Sequence, residues 1–209
     1  MTQIARRGVC LVLSAPSGAG KTAIADALLA SEPDLERSVS VTTRGRRPAE
    51  IDSVHYHFLT EDQFQDAVRN DALLEWARVL QGTHAYGTPR APVERALAEG
   101  RDVVFDIDWQ GHRQLREKLP ADVVSVFVLP PNLMALRSRL VGRAGDRGEE
   151  IERRMRVARD EIRHWEEFDH VVVNEELSVA TETVRAVLNG ARSARARLTG
   201  LAGFVEGLG

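Results

Sequence analysis

The chain has 209 residues, of which 43% are hydrophobic and 28% charged, a balance that fits one globular domain with a modest insertion and excludes disorder and collagen-like repeats. The net charge of −3 excludes a general basic surface, so we expect neither nucleic acid nor a membrane as a partner. A single cysteine excludes an internal disulfide, and no apolar run reaches the roughly 20 residues of a membrane span, so we expect a cytoplasmic protein.

The first predicted unit is a strand, a glycine-rich turn and a helix. Residues 8–14 read GVCLVLS, a short apolar run that predicts a strand buried on both faces, as in a parallel sheet. From Lys21 onward, TAIADALLASE carries apolar side chains at helical spacing and stops before Pro33. The sequence therefore opens with an α/β unit.

The next stretch, residues 38–88, has a different sequence pattern. SVSVTTR and VHYHFLT predict short antiparallel strands, and EDQFQDAVRN predicts a short helix after them. We interpret residues 38–88 as an inserted substrate lobe of small mixed sheet, and residues 1–37 and 89–209 as the core domain.

Three further strand and helix pairs follow, which predicts an α/β fold with a doubly wound parallel sheet flanked by helices. The turn APSGAGKT after the first strand makes this the fold of a P-loop NTPase. The strands are expected at 102–108, 123–129 and 170–174, with helices running through about Lys118, from near Asn132 and from Ser178.

Two segments predict irregular structure. Residues 142–150 read GRAGDRGEE and lie between helical patterns, which indicates a mobile surface loop; we expect a helical lid over about 142–155. The glycine-containing residues 198–209 are expected to form a solvated tail without an assigned role.

The turn after the first strand reads APSGAGKT and matches the phosphate-binding pattern GxxxxGK[ST], except that alanine stands at the first glycine. If that position required a positive φ, alanine would strain it. The predicted ATP-binding residues of this loop are Ala15, Pro16, Ser17, Gly18, Ala19, Gly20, Lys21 and Thr22.

The chemistry of this turn is that of a nucleotide phosphate site. Its backbone N–H groups and the following helix N-terminus favour phosphate oxygens. Lys21 is expected to reach the β- and γ-phosphates, and Thr22 to offer a hydroxyl to Mg²⁺. Asp106, at the end of a predicted strand, stands where P-loop enzymes place an acidic partner for that ion, so we expect it to share the metal site.

Further motifs follow the glycine-rich turn along the chain, and they indicate which molecule accepts the phosphoryl group. They are SVSVTTRGRRPAEIDSVHYHF, LLEWA, YGTP, FDIDWQG, the arginines 139, 143 and 154, and VVVN. From Ser14 to about Asn174 the chain resembles bacterial guanylate kinases, which implies Mg²⁺-dependent transfer of the ATP γ-phosphoryl group to GMP, and also to dGMP, in purine nucleotide metabolism.

The resemblance implies a set of GMP-binding residues whose chemistry suits the ligand. Arginine forks and tyrosine hydroxyls suit a phosphate dianion, and a carboxylate accepts both the N1–H and NH₂ donors of guanine. For the phosphate these residues are Arg44, Arg47, Tyr56 and Tyr86; for guanine they are Glu75, Asp108, Ser40 and Thr88.

The resemblance also implies catalytic cations, because phosphoryl transfer depends on positioning and charge stabilisation. Lys21 and Arg139, together with Arg143 in the lid and Arg154 on the next helix, are expected to surround the transferring group. Asn174 and Arg143 are expected to border the adenine of ATP.

Two further departures from the family pattern concern the inserted lobe. Ser53-Val54 stands where a glycine-containing turn is usual, and two extra residues separate Glu75 from Tyr86. The longer loop over 81–85 would be able to change the direction of the Tyr86 side chain.

Other functions fit parts of the sequence. A non-catalytic phosphopeptide-binding module of the same family would keep the lobe, but would not need Lys21 or the lid arginines. A sugar-phosphate kinase would not need Glu75 or Asp108, and a GTPase is disfavoured because no Asn-Lys-x-Asp stretch occurs. Monomer and homo-oligomer stay open alternatives.

Overall fold

The computed structural model describes residues 4–79, 83–141 and 148–208. Arg143 and most of the predicted loop around it therefore lie outside the described residues. The strands are β1 (Ala5–Arg6), β2 (Cys10–Ser14), β3 (Leu35–Arg37), β4 (Val41–Thr42), β5 (His57–Phe58), β6 (Leu73–Val79), β7 (His84–Pro89), β8 (Asp102–Asp106), β9 (Val123–Leu129), β10 (His170–Val173) and β11 (Leu198–Thr199). The α-helices are α1 (Lys21–Ser31), α2 (Glu61–Arg69), α3 (Arg90–Ala98), α4 (Trp109–Lys118), α5 (Leu133–Val141), α6 (Gly148–Ile162), α7 (Leu177–Arg192) and α8 (Leu201–Glu206).

Five parallel strands form the main sheet in the order β10-β9-β2-β8-β3. Along β2, Leu11 and Leu13 join a core cluster with side chains of α1 and α7, whereas Cys10 and Val12 join a cluster with α3 and α4. Successive side chains of a strand point to opposite faces, so helices cover both sides of this sheet. The predicted doubly wound parallel sheet is confirmed.

The topology of this sheet switches at β2. From β2 the chain passes to β3 and β8 on one side and to β9 and β10 on the other. Leu13 near the end of β2 pairs with Asp106 at the end of β8, so the glycine-rich turn and that aspartate share one edge. Ligands of open α/β sheets bind at the carboxyl ends of strands beside such a switch.

A second sheet has the order β5-β4-β7-β6, and here one expectation is wrong. The strands predicted at 38–44 and 54–60 are not antiparallel to each other: β4 and β5 pair in parallel, with Val41 beside His57. The antiparallel neighbour of β4 is β7. The connection over residues 43–56 is long enough to carry the chain back, which a parallel pair requires.

Helix α2 closes this smaller sheet. It begins at Glu61 because the Thr60 hydroxyl accepts from Gln63 N (3.2 Å) and the Gln63 side chain accepts from Thr60 N (2.9 Å), a capping box. Phe64 is fully buried in a cluster with residues of β4, β6 and β7. The lobe therefore has a small core of its own.

Two segments expected to be irregular contain regular structure. Helix α6 begins at Gly148, so the last three residues of the loop predicted over 142–150 are helical; two acids in its first turn suit the helix dipole. In the predicted tail, β11 pairs with β1 and α8 follows. Arg197 fastens this segment, because its buried guanidinium donates to Gly8 O and Asp122 O, both at 2.9 Å.

Asp102 ties three segments together at the amino end of the main sheet. It is 0% exposed and accepts two bonds from Arg6 (2.6 and 2.9 Å), one from Arg192 Nε (2.8 Å) and one from Val9 N (2.8 Å). Buried carboxylates are tolerated when paired in this way. Within the described ranges, no helix has the length and apolar character needed to cross a membrane.

Candidate active site

The turn over residues 15–22 has the backbone of a phosphate-binding loop. Gly18 and Gly20 have φ angles of 92° and 100°, the left-handed region that residues with a Cβ adopt only at a cost. Among the described residues other than glycine, only Ser53 and Asp71 have positive φ, so Ala15 carries no such strain. Alanine at the first glycine position is therefore compatible with this loop.

Two predicted site residues form hydrogen bonds with this loop. Asn174, 4% exposed, donates from Nδ2 to Ala19 O at 2.8 Å. Arg139 donates to the same carbonyl (3.3 Å) and to Asn174 O (3.0 Å). A Cβ on Gly20 would lie 2.2 Å from Asn174 Nδ2, so the loop and the asparagine require glycine at this contact.

Lys21, Thr22 and Asp106 form one polar group at the mouth of the loop. Lys21 Nζ lies 2.5 Å from Asp106 Oδ1, and the Thr22 hydroxyl donates to Asp106 Oδ2 at 2.8 Å. Burial acts to raise the pKa of Asp106, but the charge of Lys21 and the two hydrogen bonds outweigh it and hold the pKa below its usual value. Asp106 is therefore a carboxylate near neutral pH.

A cavity of about 280 Å³ opens above this group. It contains the donor groups of the loop and three acids. Its lining includes Ala15, Pro16, Ser17, Gly18, Gly20, Lys21, Thr22, Asp106, Asp108 and Glu161.

Glu161, near the end of α6, is a cavity residue that sequence reasoning missed. Its Oε2 accepts from Ser17 N at 3.3 Å, and burial raises the pKa of its carboxyl. Arg154 precedes it by seven positions, which is two helical turns and hence the same helix face. That spacing was a usable signal once Arg154 had been singled out.

A second cavity, of about 390 Å³, adjoins the first. Both are lined by Thr22 and Asp106, so this pair forms a shared wall. The second cavity also includes the predicted residues Ser40, Tyr56 and Thr88, together with Arg37, Ser38 and His55, which sequence reasoning missed.

Glu75 is the buried acid of the second sheet. It is 6% exposed, and its Oε1 accepts from the Thr88 hydroxyl at 2.6 Å. Burial, with a smaller contribution from the charge of Asp108, raises the pKa of Glu75 to about 7 against the opposing Thr88 bond. A Cβ on Gly111 would lie 3.1 Å from Glu75 Oε2, so the absence of a side chain there leaves room for this carboxylate.

Asp108 lies beside that acid but also has a structural task. Its Oδ1 accepts from Gln110 N and Gly111 N, both at 2.9 Å, and so caps the N-terminus of α4. Its Oδ2 has no hydrogen bond from the described residues, so one oxygen is available to a ligand.

Arg44, Tyr56 and Tyr86 come together as the sequence predicts. Arg44 Nε donates to the Tyr86 hydroxyl at 3.3 Å, and its guanidinium lies 5.4 Å from the Tyr56 ring centroid. The two tyrosine rings meet edge to face at 5.9 Å. Residues 81 and 82 of the longer loop lie outside the described residues. Arg47 is exposed on the same connection. Ser53, the departure from a glycine turn, has φ 63°, a left-handed conformation that glycine adopts at no cost.

Of the two predicted lid arginines, the structure describes only Arg154. Arg154 Nε donates to Glu150 Oε1 at 3.1 Å, four residues earlier on α6, and Arg154 lines neither cavity described above. Arg143 lies outside the described residues. Of the predicted GMP residues, Ser40, Tyr56 and Thr88 line the second cavity and Asp108 lines the first, whereas Arg44, Arg47, Glu75 and Tyr86 line neither.

Comparison with known proteins gives one consistent family. A family model described as guanylate kinase matches residues 7–191. A curated guanylate kinase from Gluconobacter oxydans is 58% identical over 205 residues, covering 98% of this chain and 98% of the relative. One from Chelativorans sp. is 55% identical over 205 residues, covering 98% and 93%.

A solved structure agrees with these relatives. The crystal structure of guanylate kinase from Anaplasma phagocytophilum has a TM-score of 0.77 and 32% identity to this chain. The match covers 98% of this chain and 96% of the solved one.

Proposed function

The chain belongs to the guanylate kinase family, and we propose that its two adjoining cavities carry out that family's reaction. The γ-phosphoryl group of ATP passes to GMP, or to dGMP, giving ADP and GDP. The observation that carries this proposal is the wall of Thr22 and Asp106 that both cavities share. A donor on one side and an acceptor on the other meet there.

The donor phosphates bind to the glycine-rich loop. Its N–H groups and the N-terminus of α1 attract the phosphates, and Lys21 moves from Asp106 to the β- and γ-phosphate oxygens. Arg139 and Asn174 hold the loop in shape through the Ala19 carbonyl. Adenine lies beside Asn174 and Arg143.

The acceptor base is recognised by carboxylates. Glu75 accepts the N1–H and NH₂ donors of guanine, and the free Oδ2 of Asp108 is the second acceptor. The hydroxyls of Thr88 and Ser40 complete the contacts at the guanine edge. Adenine lacks both donors, so AMP would leave a buried carboxylate unpaired; sites of this kind discriminate by about 10⁴-fold.

The acceptor phosphate is held for in-line attack. Arg44 and Arg47, with the Tyr56 and Tyr86 hydroxyls, hold the GMP phosphate so that one oxygen faces the γ-phosphorus. The new P–O bond forms as the bond between the γ-phosphorus and the bridging β,γ-oxygen breaks, and ADP leaves with that oxygen. Lid closure brings in Arg143 and Arg154, which offset the charge of the transferring group.

The residues present fit Mg²⁺. The Thr22 hydroxyl and the ionised Asp106 carboxylate are hard oxygen donors held within 2.8 Å of each other at the shared wall. These two residues would hold the ion together with the nucleotide phosphates. When bound, Mg²⁺ supplies positive charge that favours phosphoryl transfer.

An ADP-release assay with ATP and Mg²⁺ tests the proposal on GMP, dGMP, AMP, UMP and ribose phosphate. We expect turnover only with the guanine nucleotides, and a loss of at least about 100-fold in Lys21→Ala. Lys118→Ala is the matched control, because Lys118 bonds Asp71 (2.6 Å) and Leu73 O (2.6 Å) and lines neither described cavity. Absent turnover with tight phosphopeptide binding would replace this proposal with the binding-module alternative.

A further inference from the structure

Most hydrogen-bond donors of Arg44 are engaged by other groups of the protein. Nε donates to Tyr86 (3.3 Å), and Nη1 donates to Gly45 O (2.8 Å) and to Glu50 Oε2 (3.0 Å). Nη2 donates to Glu50 Oε1 at 2.6 Å. A guanidinium has five N–H donors, so one N–H of Nη2 has no acceptor among the described residues.

Glu50, to which sequence reasoning assigned no role, is the group that fixes this arrangement. It accepts from both terminal nitrogens of Arg44, a bidentate pair, and its Oε2 also accepts from Arg47 N at 2.8 Å. The side chains of Arg44 and Glu50 are only 13% and 14% exposed. One carboxylate therefore joins the two arginines of the predicted phosphate site.

The aromatic rings restrict the guanidinium from another direction. Its central carbon lies 5.4 Å from the ring centroid of Tyr56 and 6.0 Å from that of Phe58. Together with Glu50 and Tyr86, these rings leave Arg44 little freedom to change rotamer. The Arg44 guanidinium, the Tyr86 hydroxyl and the Tyr56 ring therefore form one cluster.

A free arginine side chain loses rotamer entropy when it is fixed. Here folding fixes the side chain, so phosphate binding does not incur that loss again. The Arg44 guanidinium, followed by the N–H of Arg47, lowers the pKa of Glu50 to about 2, so the pair stays charged at working pH.

We propose that Glu50 is a positioning residue for the acceptor phosphate, because it holds the Arg44 fork and the backbone of Arg47 in the orientation that binds GMP. This inference rests on the proposed role of Arg44 as a phosphate ligand. Glu50 acts through Arg44 and through the backbone N–H of Arg47.

Glu50→Gln tests the proposal, since the amide has the same shape but puts an NH₂ donor where a carboxylate oxygen accepted. We expect the KM for GMP to rise about tenfold with little change in kcat or in the KM for ATP. The inhibition constant of guanosine, which has the base but no phosphate, should stay at the wild-type value. A merely structural role in the lobe would weaken guanosine as well.

Glu61→Gln is the matched control, because Glu61 pairs with Arg78 and Gln65 in the same lobe, and neither partner is a predicted phosphate ligand. It should leave the KM for GMP unchanged. In an Arg44→Met background, Glu50→Gln should raise that KM by a smaller factor, because only the contact with Arg47 N is then left to lose.

An unchanged or lower KM for GMP in Glu50→Gln would overturn the inference, and a lower one would show that Glu50 competes with the phosphate. Equal weakening of guanosine and GMP would also overturn it. If Arg44→Met itself left the KM for GMP unchanged, the proposed role of Arg44 would fail instead. The two failures are thus distinguishable.

Discussion

Lys21 and Asp106 form an ion pair, with 2.5 Å between Nζ and Oδ1, at the carboxyl edge of the parallel sheet. The lysine comes from the turn after β2 and the aspartate from the end of β8, and Leu13 and Asp106 are partners in the ladder between these strands. The cation proposed for the donor phosphates is therefore held by the anion proposed for Mg²⁺. In the proposed reaction, this ion pair would be replaced by two others, Lys21 with the nucleotide phosphates and Asp106 with Mg²⁺.

Asp106→Asn should lower kcat by about 10²- to 10³-fold, because it removes a carboxylate at the shared wall while keeping its shape. The concentration of Mg²⁺ giving half-maximal activity should rise. Steady-state rates at increasing Mg²⁺ measure both effects. Asp160→Asn is the control, since Asp160 is an exposed acid 3.8 Å from Arg163; wild-type rates and Mg²⁺ dependence in Asp106→Asn would contradict the assignment.

The KM for GMP should rise as pH falls below about 7. The pKa of Glu75 is raised to about 7 by burial, so acid converts an acceptor for guanine into a neutral carboxyl. Below that pH we expect the KM for GMP to rise roughly tenfold for each pH unit. Steady-state kinetics from pH 5.5 to 8.5 measure this, and Glu75→Gln separates it from titration of the GMP phosphate near pH 6. A profile identical in wild type and variant would exclude Glu75.

Glu75→Gln should also stabilise the fold while it removes GMP selectivity. The folded pKa lies above the ordinary 4.5, so ionisation of Glu75 disfavours folding; the penalty grows as pH rises from about 4.5 to 7 and is complete above that. Glutamine keeps the oxygen that Thr88 contacts. Urea unfolding should show a gain of about 1–3 kcal/mol at pH 8 and almost none at pH 4. A gain of equal size at both pH values would point to a different cause.

Asp102→Ala should lower the free energy of unfolding by about 3–5 kcal/mol, because it leaves Arg6 and Arg192 without a buried carboxylate. The site lies at the opposite end of the sheet, so kcat should be retained below the unfolding transition. Urea unfolding and kinetics at 20 °C measure the two effects, 20 °C being about the temperature of maximum stability. Glu36→Ala is the control: Glu36 pairs with Arg101 at the surface, and its loss should cost about 1 kcal/mol or less.

Several elements of the fold were predictable because their causes are local. The strand at β2, the helix from Lys21 and the short helix α2 depend on apolar periodicity and on residues a few positions apart. The direction of β5 was not predictable in this way. Antiparallel and parallel partners have the same alternating pattern, and only the path of residues 43–56 decided between them.

By itself, the sequence determined the phosphate loop, the order of the strand and helix units and the family, because these follow from motifs read along the chain. Only the tertiary structure decided that Asp106 pairs with Lys21, that Glu161 reaches Ser17 N and that Glu50 holds Arg44 together with Arg47 N. It also decided that Ala15 is unstrained and that Glu75 is buried beside Thr88. The physical reason is that pKa values, ion pairs and cavities depend on groups brought together by packing, and groups such as Ser17 and Glu161 are far apart in sequence.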